Sequence, residues 1–211
     1  MRWNIAQRFE IRWWQKYLKD KDVAAYAAWK TDYWRQFLST IEVLPRPGST
    51  AIDVGCGPAG IFTVLDQQQV TALDPLLAQY QQKLPHFDPA QYPWVDFVAQ
   101  PLEAYDTPTR YETLFCINAI NHVKDIAHCF DKLVALTEPG GTMVVSIDAH
   151  NYKLPKYVFR LVQNDVLHPH QYDLSEYSDM LTDRGCTIER TILYKPEWLF
   201  NYYVIVCKAP R

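Results

Sequence analysis

Residues Ala51 to Gly60 read AIDVGCGPAG, an apolar run that reaches an acid and then turns through glycines. Gly55, Gly57 and Gly60 fit G-x-G-x-x-G, the pattern of a strand-to-helix turn that approaches a dinucleotide. Two residues argue against a pyrophosphate in this turn. Asp53 ends the apolar strand, where its carboxylate repels phosphate, and Pro58 removes one backbone N–H from the place that needs donors. No Lys or Arg stands nearby to compensate. Both features suit a ligand with positive charge, because a carboxylate stabilises an ammonium or sulfonium the more strongly as water is excluded. The glycines then serve close backbone approach.

Twenty-one residues after Asp53, the run VTALD ends on Asp74 and places a second carboxylate at the tip of the next strand. That spacing suits hydrogen bonds to the two hydroxyls of a ribose. A ribose joined to a cationic, zwitterionic tail with no phosphate between them describes S-adenosylmethionine.

Outward from the loop, short apolar runs alternate with helical patterns, as in βαβ units and a largely parallel sheet. Strands are expected at Ala51 to Val54, Val70 to Leu73, Asp96 to Val98, Thr113 to Ile117 and Thr142 to Asp148. Helices are expected at Gly60 to Gln68, Leu76 to Lys83, part of Leu102 to Tyr105, Asp125 to Leu136 and Ser175 to Asp183. Two last runs, TIERTILY and NYYVIVCKA, are joined by too short a connection for a parallel crossover and must be antiparallel. Ahead of the loop, residues 5 to 43 lack Gly and Pro and carry aromatics at helical spacing, which predicts two amphipathic helices split around Lys19 to Asp22. One domain over 1–211 is expected, with a helical cap (1–44), a cofactor core (48–150), an insertion over the substrate pocket (151–174) and a terminal helix and hairpin (175–211).

The chain is net −3 with a pI near 6.1, which gives no long-range attraction for nucleic acid. Five cysteines, an odd number without a C-x-x-C pair, sit in apolar runs and point to a reduced, cytoplasmic chain. No segment approaches the roughly 20 apolar residues of a membrane span, so no membrane partner is expected. His168 and His170 are spaced to share an ion, but no third ligand accompanies them and no metal is expected.

The order of segments resembles the class I (Rossmann-like) S-adenosylmethionine-dependent methyltransferases. DVGCGPAG (53–60) is similar to their first motif and TALDP (71–75) to their second. FVAQPLEAY (97–105) is similar to the adenine segment, and LFCINAINHVKD (114–125) and LTEPGGTMVVSID (136–148) to those that follow. The resemblance covers residues 48 to 150 and implies an α/β, doubly wound, seven-stranded sheet, mainly parallel with an antiparallel last strand. It implies cofactor contacts from Asp53, Gly55, Cys56, Gly57, Asp74, Pro75 and Asn118. Pro101 stands where many relatives place an acid, which moves the adenine contact to the Leu102 backbone and Glu103.

The N-terminal helices read as a lid, with Trp13 and Tyr17 chosen as the aromatics that reach the cofactor by cation–π attraction. His122, one turn beyond Asn118, is the candidate general base, followed by His150 and Tyr152. The function expected is in-line methyl transfer to a small, flat or apolar acceptor, leaving S-adenosylhomocysteine. Three alternatives stay open: an RNA or protein acceptor met by Lys153, Lys156 and Arg160, a non-catalytic S-adenosylmethionine-binding module, and a nicotinamide oxidoreductase.

Overall fold

The computed structural model describes residues 2–150, 172–196 and 200–211. Two helices open the chain, α1 (Arg2–Leu18) and α2 (Val23–Ile41). The break between them is set by Asp22, whose carboxylate accepts the Ala25 N–H at 2.9 Å and so caps α2. Glu42, in the left-handed region at φ 52°, ends it.

A seven-stranded sheet follows: β1 (Thr50–Val54), β2 (Gln69–Leu73), β3 (Val95–Val98), β4 (Tyr111–Cys116), β5 (Thr137–His150), β6 (Thr187–Lys195) and β7 (Phe200–Lys208). Its spatial order is β3-β2-β1-β4-β5-β7-β6, with β7 antiparallel to both of its neighbours and the remaining pairs parallel. The sheet starts at β1, winds outward to β3 and returns at β4, so a topological switch point opens between β1 and β4. Ligands of doubly wound sheets bind at that point, beyond the carboxyl ends of the strands.

Residues alternate between two cores along each strand. Ala51, Ala72, Phe115, Val144 and Val204 face one core, which α1, α2 and α3 (Leu77–Lys83) cover through Ile11, Leu18, Trp34, Phe37 and Tyr80. Ile52, Leu114, Val145 and Ile205 face the other, covered by α4 (Ile126–Leu136) and α5 (Leu174–Thr182). Asp53, Ser146 and Tyr202 lie in step with the first set. They therefore emerge under the N-terminal helices.

The strands and helices fall within a few residues of their expected positions, except after the loop. An α-helix is expected over Gly60 to Gln68, but the chain makes one 3-10 turn there, Ile61–Val64, just after another at Gly57–Ala59. Two tryptophan indoles hold these turns. Trp34 Nε1 donates to Ala59 O at 2.9 Å and Trp94 Nε1 to Phe62 O at 3.1 Å, which ties the short turns to α2 and to the segment before β3. Ile61, Thr63 and Val64 are β-branched and add little helical preference. The segment expected over Leu102 to Tyr105 is likewise one 3-10 turn, Leu102–Ala104. Most of the 151–174 insertion, with Tyr152, Lys153, Lys156, Arg160, His168 and His170, lies outside the described residues, as does the side chain of His150.

Candidate functional site

The glycine turn spends its donors on the end of the neighbouring strand β2. Gly55 N–H and Cys56 N–H both donate to Leu73 O, at 2.7 and 3.2 Å. Gly57 N–H donates to Asp74 Oδ2 at 3.0 Å, and Pro58 has no N–H to give. Gly55 and Gly57 adopt φ of 68° and 59°, the left-handed region that favours glycine. Gly55 is also pressed from above, since a Cβ there would lie 2.3 Å from that of Ala119.

Asp53 and Asp74 are 2% and 5% exposed, two carboxylates buried at adjacent strand ends. Asp53 Oδ2 accepts the Phe62 N–H at 3.1 Å. Asp74 Oδ1 accepts the Leu76 N–H at 2.8 Å while its other oxygen holds Gly57. Burial pushes Asp53 up to about 7, against the Phe62 and Ile61 amides and the Lys30 charge that favour ionisation. Burial likewise pushes Asp74 up to about 7, helped by the Glu10 charge and opposed by the Leu76 and Gly57 amides. A carboxylate has about four lone-pair sites, so both acids retain acceptor capacity after these bonds.

The cover comes from α1 and α2. Trp14 Cζ2 lies 3.7 Å from where a Gly57 Cβ would be, and its ring meets Tyr80 edge-on with centroids 6.5 Å apart. Tyr80 OH in turn donates to Glu10 Oε1 at 2.9 Å, which ties α1 to α3. About two turns into α2, Lys30 Nζ rests 4.5, 5.0 and 5.7 Å from the ring centroids of Trp34, Tyr33 and Trp29. Burial pulls this ammonium down to about 8, with the Asp53 charge holding it up.

On the other side of the switch point, Asn118 follows β4 with φ 54°, a conformation asparagine tolerates. Its N–H donates to Ser146 Oγ at 2.7 Å, and Tyr202 OH donates to the same oxygen at 2.6 Å. Tyr33 hydrogen-bonds Tyr194, whose ring centroid lies 5.9 Å from that of Tyr202. A wall of tyrosines therefore runs from α2 across β6 and β7 beside Asn118.

The expected residues divide between these surroundings. Asp53, Gly55, Cys56, Gly57, Asp74 and Pro75 converge on the turn, where Cys56 is buried and its thiol pushed up by burial and both acids. Asn118 stands on the β4 side. Leu102 packs into the second core, and Glu103 Oε1 accepts the Lys124 N–H at 2.8 Å, which anchors the segment after β4. His122 is exposed at the end of a short turn, Ile120–His122, next to buried Asn121, which accepts the Tyr177 hydroxyl. The structure departs from the expected lid contacts: Trp13 is 54% exposed and stacks on Tyr17, while Trp14 is the tryptophan of α1 that meets the turn. Ile11 and Leu18 point inward and fix that rotation. Lys30, Ser146 and Tyr202 were not singled out from the sequence; a lysine between Trp29, Tyr33 and Trp34 at one-turn spacing is the signal that marks the first. Among the described residues no group of three His, Cys, Asp or Glu side chains is placed to hold a metal.

A family model described as a methyltransferase domain matches residues 26–191. The chain is 30% identical over 146 residues to a ubiquinone biosynthesis O-methyltransferase of Rhodopseudomonas palustris, covering 64% of this chain and 55% of that protein. It thus spans about half the length of that relative. Among solved structures it is similar to an N-methyltransferase of Bradyrhizobium japonicum in complex with S-adenosylhomocysteine (TM-score 0.61, 14% identity, 92% of this chain and 91% of that one). It is also similar to the 1,6-didemethyltoxoflavin-N1-methyltransferase of Burkholderia thailandensis (TM-score 0.61, 17% identity, 95% and 86%), solved with 1,6-didemethyltoxoflavin and S-adenosylhomocysteine.

Proposed function

Because the chain belongs to the class I S-adenosylmethionine-dependent methyltransferase family, we propose that it moves a methyl group from S-adenosylmethionine to a flat or apolar small molecule. One observation carries the choice of cofactor. The donors of Gly55, Cys56 and Gly57 are spent on Leu73 and Asp74 at the end of β2, so the turn offers a pyrophosphate two buried carboxylates and no free amide from these residues. The same carboxylates suit an amine and ribose hydroxyls.

S-adenosylmethionine supplies a methyl group on an already activated sulfonium leaving group. Asp53 faces the ammonium end of its tail and Lys30 the carboxylate end, which leaves each ion of the tail a partner in a site shielded from water. Asp74 receives the ribose, with Pro75 and Leu76 on one side and Trp14 above. Ser146 and Tyr202 fix the Asn118 backbone, and Tyr33, Tyr194 and Tyr202 line the acceptor side with ring faces and hydroxyls. The name of one matching relative, a ubiquinone biosynthesis O-methyltransferase, supports a small-molecule acceptor. Proximity supplies most of the acceleration, and His122 serves as a base only where the acceptor must lose a proton.

Calorimetric titration tests this directly. S-adenosylmethionine and S-adenosylhomocysteine are expected to bind at about micromolar Kd and NADH not at all. Binding of NADH alone overturns the reading. Methyl transfer to phenolic or heteroaromatic acceptors, and not to RNA, is then expected by mass spectrometry; binding without turnover on any acceptor class favours a non-catalytic role.

A second expectation concerns the Asn118 support. Ser146→Ala leaves the Asn118 N–H and the Tyr202 hydroxyl without their shared acceptor and is expected to cost about 2 kcal/mol or more. Tyr202→Phe removes one donor and leaves Ser146 bonded, so it is expected to cost about 1 kcal/mol. Urea unfolding of both variants measures the difference, and equal costs contradict it.

A further inference from the structure

We propose that the outer face of α1, with the start of α2, docks on an anionic lipid bilayer. Among the described residues no helix is long and apolar enough to cross a membrane, but lying on one is a separate property. The inner face of α1 is accounted for by Ile11, Trp14 and Leu18. The fold gives no reason for the outer one, where Phe9, Trp13 and Tyr17 recur every fourth residue at 53%, 54% and 37% exposure. Buried Tyr26 links these rings to α2: Tyr17 meets Tyr26 at 6.3 Å between centroids, Tyr26 meets Trp29 at 5.7 Å, and Trp29 is half exposed. A row of exposed aromatics such as Phe9, Trp13 and Tyr17 is unusual on a free surface.

Charge identifies what covers it. Exposed Arg12, Lys16, Lys19 and Lys21 flank the strip, with Lys21 Nζ 4.6 Å over the Tyr17 ring. Residues 1–22 hold six basic and three acidic side chains in a chain that is net −3 overall. Two of those acids are engaged, Glu10 with Tyr80 and Asp22 at the α2 cap. A second copy related by a twofold axis would set these cations against themselves. An interface of anionic headgroups meets them, while indole and phenol rings occupy the headgroup level. The linked rings reach Trp29, whose ring lies 6.0 Å from Tyr33, so docking would bring the mouth of the site to the lipid surface. The docking itself does not depend on which reaction the site performs.

Vesicle sedimentation of the full chain tests this, with phosphatidylcholine alone against phosphatidylcholine and phosphatidylglycerol in a two-to-one ratio. Partition is expected to be at least about tenfold stronger into the anionic vesicles and to weaken with salt. Lys16→Glu with Lys19→Glu, and separately Phe9→Gln with Trp13→Gln, are each expected to lower it about tenfold, with circular dichroism showing that both variants stay folded. Absence of partition, or partition that neither variant changes, overturns the proposal. So does a concentration-dependent dimer in sedimentation velocity that the Phe9 and Trp13 variant abolishes, because the strip then joins two copies.

Discussion

Gly60→Ala is expected to abolish measurable S-adenosylhomocysteine binding and to destabilise the protein by about 3 kcal/mol or more. The backbone angle is not the reason. At φ −77° and ψ −174°, Gly60 has ordinary extended backbone that any residue adopts. The obstacle is space: a Cβ would lie 2.4 Å from Asp53 Oδ2 and 2.4 Å from Cys56 O. Neither is the loose end of a flexible side chain. Asp53 is clamped by the Phe62 amide, and the Cys56 carbonyl belongs to the turn itself. Relief therefore moves the Asp53 carboxylate or opens the turn, and either displaces the group assigned to the ligand's ammonium. Gly48→Ala is the control, because its φ of 76° is left-handed but nothing lies within 4 Å of the added carbon. It is expected to cost about 1 kcal/mol from backbone strain and to leave binding intact. Thermal melts and calorimetry on both variants separate the effects, and a Gly60→Ala protein that binds like wild type places the ligand elsewhere.

Gly60 also shows what the sequence could and could not convey. Its place in the glycine pattern was legible, as were both acids, because an apolar run fixes where a strand ends and so where an acid at its tip lies. The reversed β7 followed from the short connection before it. The short turns after the loop were not legible, since nothing local announces that Trp34 and Trp94, from distant segments, bond to Ala59 and Phe62. Trp13 and Trp14 posed a problem of rotation: neighbours on a helix differ by about 100°, and only the packing of Ile11 and Leu18 decides which one turns inward. Ser146 and Tyr202 were hidden for another reason. They are 56 residues apart and meet only through the β5–β7 register, in which Ser146 pairs with Val204 and Asp148 with Tyr202. A pairing of that kind is a property of the assembled sheet.

Affinity for S-adenosylhomocysteine is expected to rise from about pH 5 to about pH 7 by tenfold per unit for one carboxylate and approaching a hundredfold if both titrate. The sign follows from burial. Asp53 and Asp74 are each raised to about 7, so between about pH 4 and pH 7 the folded protein keeps protons that the unfolded chain has released. Their effect on the unliganded fold is therefore most favourable below about pH 4 and is lost as the pH climbs through 7. The ligand reverses that trend, because an ammonium and ribose hydroxyls both favour the ionised acids. Over one window the stability of the free protein should fall with pH while its affinity for the ligand rises, a pairing that exposed carboxylates with ordinary values would not give. Lys30 closes the window from above: it is lowered to about 8, so at higher pH it loses the charge assigned to the ligand's carboxylate and affinity falls again. Asp53→Asn is expected to remove one proton from the acidic limb, and Lys30→Met to remove the alkaline limb while weakening binding throughout. Calorimetry across that range with all three proteins measures both slopes. A flat wild-type profile would mean that the ligand does not sit on these acids, whatever else the turn holds.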